Sequence, residues 1–210
     1  MSDFREDFRE SGRIARLAAP HIKELFMQIP YLFTTNDLKI YTVENDDELG
    51  CPSCKVLDKI CGIDYLVVSE TDNRVIGMAW RAVKFLRSKY PDNEVYNGFS
   101  VRQKRDTTKE EARCEMRKRE NQIMLGTIFP TYTVQAHYDP SDDTLLSLAL
   151  ARTTDIYQAL YDGLYRVCNP HGKNKEVYFY DVLWDKMKDA GYVVYDWYKD
   201  DSCRGYFKDR

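Results

Sequence analysis

Asp64 closes a Gly62-Ile63-Asp64 stretch at the head of one apolar segment, and Arg81 interrupts the next, in Ala79-Trp80-Arg81. The turn chemistry of Thr71-Asp72-Asn73 between them favours an antiparallel hairpin. In such a hairpin, Asp64 and side chains two apart on the neighbouring strand point to one sheet face. A carboxylate so placed offers an oxygen ligand of the kind a hard divalent cation takes. As alternatives, Asp64 is a surface carboxylate before a strand and Arg81 a residue at the sheet rim.

Two other groupings have the residue types for chemistry. Cys51-x-x-Cys54 and Cys168-x-x-His171 share the two-residue gap that lets neighbouring ligands bind one zinc, and together they would make a Cys₃His structural site. A thioredoxin-like role for the first pair is disfavoured, because an acidic loop stands where that motif needs a strand. Between Arg102 and Arg119 the chain carries a local charge of +4, through Arg102, Lys104, Arg105, Lys109, Arg113, Arg117, Lys118 and Arg119 against Asp106, Glu110, Glu111 and Glu115. The whole chain is −3, so the remainder is −7. Arg102, Lys104, Arg105, Arg113 and Arg117 are candidate phosphate-backbone contacts acting by counterion release. The alternative is a solvated helix face, with pairs such as Glu115–Arg119 at i,i+4 spacing.

Several reaction classes are not supported. There is no glycine-rich phosphate loop, His21, His137 and His171 have no metalloprotease spacing, and no serine sits in a G-x-S-x-G elbow.

The elements that would position these residues can be read from periodicity. Apolar residues from Ile14 to Ile29 recur at helical spacing, giving a helix over Arg13 to Ile29, bent at Pro20 or broken there into two. Leu38–Val43 reads as a strand, Val56–Ile60 as a helical turn, and Ile63–Val68 with Arg74–Phe85 as the hairpin. Val95–Arg102 reads as a third strand of the same meander. A capping box at Thr107 or Thr108 starts a helix to about Met124. Thr131–Tyr138 is a strand, and Thr144–Tyr165 has leucines and tyrosines at helical spacing. Strands at Val177–Tyr180 and Tyr192–Trp197 flank a short helix over Leu183–Ala190, with Gly191 as its stop.

This order, together with Gly62-Ile63-Asp64, resembles the αβββαβ core of the PD-(D/E)XK nuclease superfamily over residues 13–138. The resemblance implies a metal-dependent phosphodiesterase holding magnesium, with Asp64 as a ligand. The family's Glu-x-Lys is Ala79-Trp80-Arg81 here, so the second carboxylate would come from the following helix as Glu111 or Glu115, with Glu24 of the first helix as a further donor. Asp64, Arg81, Glu111 and Glu115 are then the candidate catalytic residues, with Asp64 and Glu115 on the metal. A degenerate binder of nucleic acid is the other outcome of this resemblance.

At 210 residues, with 43% apolar and 31% charged residues, the chain suits one α/β (α+β) domain over residues 1–210 with a central mixed sheet flanked by helices. Residues 139–210 would add a helix and strands to the core. No apolar run approaches the roughly 18 residues a membrane span needs, and the first residues lack a signal-peptide layout, so a cytoplasmic location and reduced cysteines are expected. The competing class is a non-enzymatic protein-binding module, for example a phage or mobile-element factor that blocks a host enzyme. Sixteen tyrosines suit such an interface, and suit sheet packing equally.

Overall fold

The computed structural model describes residues 4–43, 56–85, 97–105, 115–168 and 177–204. Helix α1 (Phe4–Met27) runs through Pro20 without splitting. The apolar stripe explains why. Ile14, Ala18, Ile22, Leu25 and Phe26 are buried on one face while Pro20 lies on the exposed one, so only a solvent-side hydrogen bond is lost. Each fully buried Ile, Leu or Phe side chain of this stripe contributes about 1.5–3 kcal/mol, enough to hold the helix together across the proline.

Next come β1 (Lys39–Thr42), a single π-helical turn (Leu57–Cys61), β2 (Tyr65–Ser69) and β3 (Arg74–Lys84). β1, β2 and β3 pair antiparallel. The β2–β3 turn forms where Thr71-Asp72-Asn73 indicated, with Asn73 in the left-handed region (φ 51°). β4 (Gly98–Arg105) and α2 (Glu115–Leu125) precede β5 (Tyr132–Asp139), which lies beside β3 and parallel to it. β6 (Thr144–Arg152) follows antiparallel, then α3 (Thr153–Tyr161), β7 (Tyr165–Cys168), β8 (Val177–Leu183), α4 (Trp184–Asp189) and β9 (Val194–Tyr198).

Six strands form a mixed sheet in the order β1-β2-β3-β5-β6-β9, and three form a second sheet in the order β4-β8-β7. The architecture is α+β. Alternate residues of the large sheet belong to two cores. Val67, Met78, Val134, Ala136, Leu148 and Leu150 pack with α1. Ala149 and Ala151 pack with Ile156, Tyr157 and Leu160 of α3 and with Phe99, Val101 and Val182 of the second sheet.

Two expectations are corrected. The segment 144–152 is a strand, not the start of a helix. Leu146 to Ala151 are all buried because both faces of β6 are covered, so its pattern is a continuous apolar run with no alternation. Residues 98–105 leave the meander and pair with β8 in the second sheet, because the ladder from Gly98↔Leu183 to Arg105↔Val177 satisfies the strand there. The short helix over residues 184–189, its stop at Gly191 (φ 88°) and the closing strand fall where the sequence placed them.

Candidate functional site

The π-turn ends at Gly62, whose φ of 68° lets the chain reverse into β2. The backbone there requires glycine, and a Cβ, 2.7 Å from Arg119 Nη2, would also have to displace the guanidinium. Asp64 then meets β3. Its N–H donates to Met78 O at 3.0 Å, and its Oδ2 accepts the Trp80 N–H at 2.6 Å. Burial pushes this carboxyl up to about 6, with the charges of Asp58 and Glu115 acting the same way and Trp80 N–H and Arg81 acting against them.

Arg81 projects from β3 and meets the carboxylate of Glu115 through Nη2. Both side chains are half-buried. Burial works against the guanidinium charge, but Glu115 and Asp64 outweigh it and raise the arginine pKa further. The notion of a Glu115–Arg119 helix pair is therefore replaced by an inter-element pair between α2 and the central sheet.

Arg119 instead locks α2 onto the turn that carries Asp64. Its Nη1 donates to Cys61 O at 2.7 Å and to Gln122 Oε1 at 2.8 Å, and its Nη2 reaches Gly62 O at 3.4 Å. Gln122 Nε2 donates to Ile60 O at 2.9 Å, and Lys118 Nζ to Lys59 O at 2.6 Å. These bonds satisfy the carbonyls of residues 59–62, which have no ladder to join. Two cations of the basic run are thus structural ties to backbone oxygens, Arg119 fully buried and Lys118 partly so.

Beyond Arg81 a cleft of about 500 Å³ opens between β3 and the second sheet. Two cross-strand rows of the second sheet line it. One is Arg102–Phe179–Cys168 and the next is Ser100–Asp181–Arg166, of which Ser100 and Asp181 reach the lining, the strands pairing in the order β4, β8, β7. Ser100 joins this face to the large sheet, since its N–H donates to Gln135 Oε1 at 3.2 Å. Ser100 Oγ and Arg166 Nη2 donate to Asp181 at 2.8 and 3.0 Å, as does the Cys168 thiol at 2.8 Å. Burial and the Asp181 carboxylate push that thiol up to about 12, so it stays protonated and is no nucleophile. Farther along β5, His137 shares a hydrogen bond of 3.0 Å with Ser147, and burial lowers its pKa to about 4.

The predicted site residues divide accordingly. Asp64, Arg81 and Glu115 come together, with Arg102 across the cleft. Arg117 is exposed on α2, and Lys104 and Arg105 end β4. Glu24 lies on α1, beside His21 and on the far side of the sheet, so it does not join them. Glu111, Arg113, Cys51, Cys54 and His171 lie outside the described residues. Tyr157, buried on α3 with its hydroxyl held protonated by burial and by the charge of Glu115, belongs to the same electrostatic cluster and was not indicated by the sequence. Nor were Asp181 and Phe179, which become neighbours of Arg102 only through the β4–β8 pairing.

Among the described residues, no group of three or more His, Cys, Asp or Glu side chains could hold a metal. Of the expected magnesium ligands, Asp64 has one oxygen on a backbone N–H and Glu115 is paired with an arginine, while Glu111 lies outside the described residues. Among the described residues, no helix is long and apolar enough to cross a membrane. Comparison of the chain with protein-family models, with curated proteins and with solved structures gave no match.

Proposed function

We propose that the chain binds nucleic acid through the cleft beside β3, as a degenerate PD-(D/E)XK-like domain in which arginine supplies the positive charge that a metal supplies in the nucleases. The observation that carries this reading is the convergence of Asp64, Arg81 and Glu115 where β2, β3 and α2 meet, with Arg102 facing them. Element order supports it: α1, an antiparallel β1-β2-β3, α2 and then β5 parallel to β3 follow the αβββαβ sequence of that superfamily, with β4 as an insertion. Guanidinium groups bind phosphate oxygens in pairs and remain charged at every working pH.

The test is fluorescence anisotropy with labelled single- and double-stranded DNA and RNA at about 50 mM salt, with magnesium or with chelator. Salt-sensitive binding that is indifferent to chelator, weakened by Arg81→Gln and unaccompanied by cleavage, is expected. Cleavage lost on chelation would restore the metal-dependent phosphodiesterase, and absence of binding would overturn the reading. In that last case the exposed Met124, Leu125 and Ile128, at 75, 75 and 65% exposure around the end of α2, favour a protein-binding surface.

A further inference from the structure

We propose that the cleft between β3 and the second sheet receives one unstacked nucleotide, so that the ligand is single-stranded nucleic acid in preference to duplex. This rests on the nucleic-acid reading above and narrows it to a substrate class.

Size is the first argument. A cleft of about 500 Å³ falls in the range that holds a small-molecule-sized group, and a base pair still stacked in a duplex cannot enter it.

The wall chemistry is the second. The Phe179 ring, half-buried at the centre of its row, offers a π-face, and Arg102 Cζ stands 5.8 Å from its centroid. Aromatic rings and guanidinium planes are the two platforms on which single-stranded bases stack, and such stacking tolerates any base. Arg81 on the opposite wall provides the phosphate contact. Among the residues that line the cleft, Arg81 and Arg102 stand against one carboxylate, Asp181, which Arg166 pairs from its own row.

Rigidity is the third. The Ser100–Asp181–Arg166 row and the Gln135 amide fix the floor beside Phe179 through side-chain hydrogen bonds, so the platform is formed before a ligand arrives. The other face of the same strands is anchored in a core with Val101 and Val182.

The experiment compares a labelled 12-nucleotide single strand with the same sequence as a duplex, at about 50 mM salt, using wild type, Phe179→Ala, Phe179→Leu and Phe179→Trp. A 2-aminopurine in the strand reports stacking. Wild type should prefer the single strand and quench the 2-aminopurine. Phe179→Ala and Phe179→Leu should both lose about tenfold in single-strand affinity, with duplex affinity unchanged, and Phe179→Trp should retain it. The leucine variant keeps an apolar side chain of similar bulk, so a loss it shares with alanine is not a folding defect. If single strand and duplex bind equally and no Phe179 variant changes either, while Arg81→Gln weakens both, the inference is overturned and nucleic-acid binding stands. If wild type binds neither, both fail.

Discussion

Arg81 on β3 and Glu115 in the first turn of α2 form an ion pair that ties the central strand of the large sheet to the following helix. The pair sits at the cleft mouth, so its two members should act with opposite sign on a polyanion. Arg81→Gln should weaken nucleic-acid binding about three- to tenfold, and Glu115→Gln should strengthen it by a similar factor by freeing guanidinium donors. Both single variants should lose about 1–2 kcal/mol of stability, since the pair is only half-buried. Denaturant titration together with anisotropy checks this. A loss of affinity in both variants would make the pair a strut with no part in binding.

Two groups, Asp64 and His137, make opposite contributions to the pH dependence of stability. The Asp64 carboxyl titrates near 6 in the fold against 3.8 for a free side chain, so its contribution is full below about pH 3.8 and is lost as pH rises through 6. His137 runs the other way. Its folded value of about 4 against 6.5 means that stability present above pH 6.5 is lost as pH falls through 4. The two therefore oppose each other between pH 4 and 6.5.

Asp64→Asn retains the acceptor for Trp80 N–H and removes the buried charge. It should gain about 2 kcal/mol over wild type at pH 7 and gain nothing at pH 3.5. His137→Asn should be less stable than wild type at pH 7, through lost packing, and close that gap by pH 4. Chemical denaturation of the three proteins from pH 3.5 to 8 measures both. Parallel curves for any variant and wild type would show that its residue does not titrate abnormally.

The clamp between α2 and the π-turn should be a stability element whose loss also loosens the site. Arg119→Leu leaves the Cys61 and Gly62 carbonyls unsatisfied and should cost about 2–3 kcal/mol. Gly62→Ala should cost at least 1 kcal/mol, because φ of 68° disfavours a Cβ and Arg119 Nη2 already occupies its place. Arg119→Lys, which can reach one carbonyl, should fall between wild type and Arg119→Leu. Thermal melts rank them. An Arg119→Leu protein as stable as wild type would mean that water satisfies those carbonyls.

What was legible in the sequence followed from local rules. The β2–β3 hairpin was readable because β-branched runs flank a turn that tolerates a left-handed residue, and the placing of Asp64 and Arg81 came with it. Strand β6 was not readable. Its Leu-Leu-Ser-Leu-Ala-Leu-Ala run favours helix by propensity, and only cover on both faces makes it a strand. Strand β4 was recognised as a strand but placed in the wrong sheet, since its partner β8 lies far along the chain at 177–183. The same distance hid the cleft, whose Phe179 and Asp181 come from β8. Arg119 was hidden for a different reason: among alternating charges nothing marks one arginine as buried. The tyrosines divide between uses, with Tyr132, Tyr138 and Tyr157 in the cores and Tyr31 and Tyr161 exposed.

The basic segment supplies the remaining prediction. Arg117 is exposed on α2, on the helix that also presents Glu115 to the cleft, and Arg113 precedes it outside the described residues. Their contribution should be long-range attraction of a phosphate backbone, in contrast to the close contacts of Arg81. Such attraction is screened beyond about 10 Å at 0.1 M salt. Reversing both to glutamate should therefore weaken nucleic-acid binding strongly at about 50 mM salt and little at about 300 mM, and reduce the slope of log affinity against log salt. The Arg117→Glu single variant should change stability by no more than about 0.5 kcal/mol, the usual range for an exposed position. Anisotropy titrations of wild type and the double variant over that salt range supply the measurement. A folded double variant with unchanged affinity and slope would show that the segment is a solvated face and that binding depends on the cleft alone.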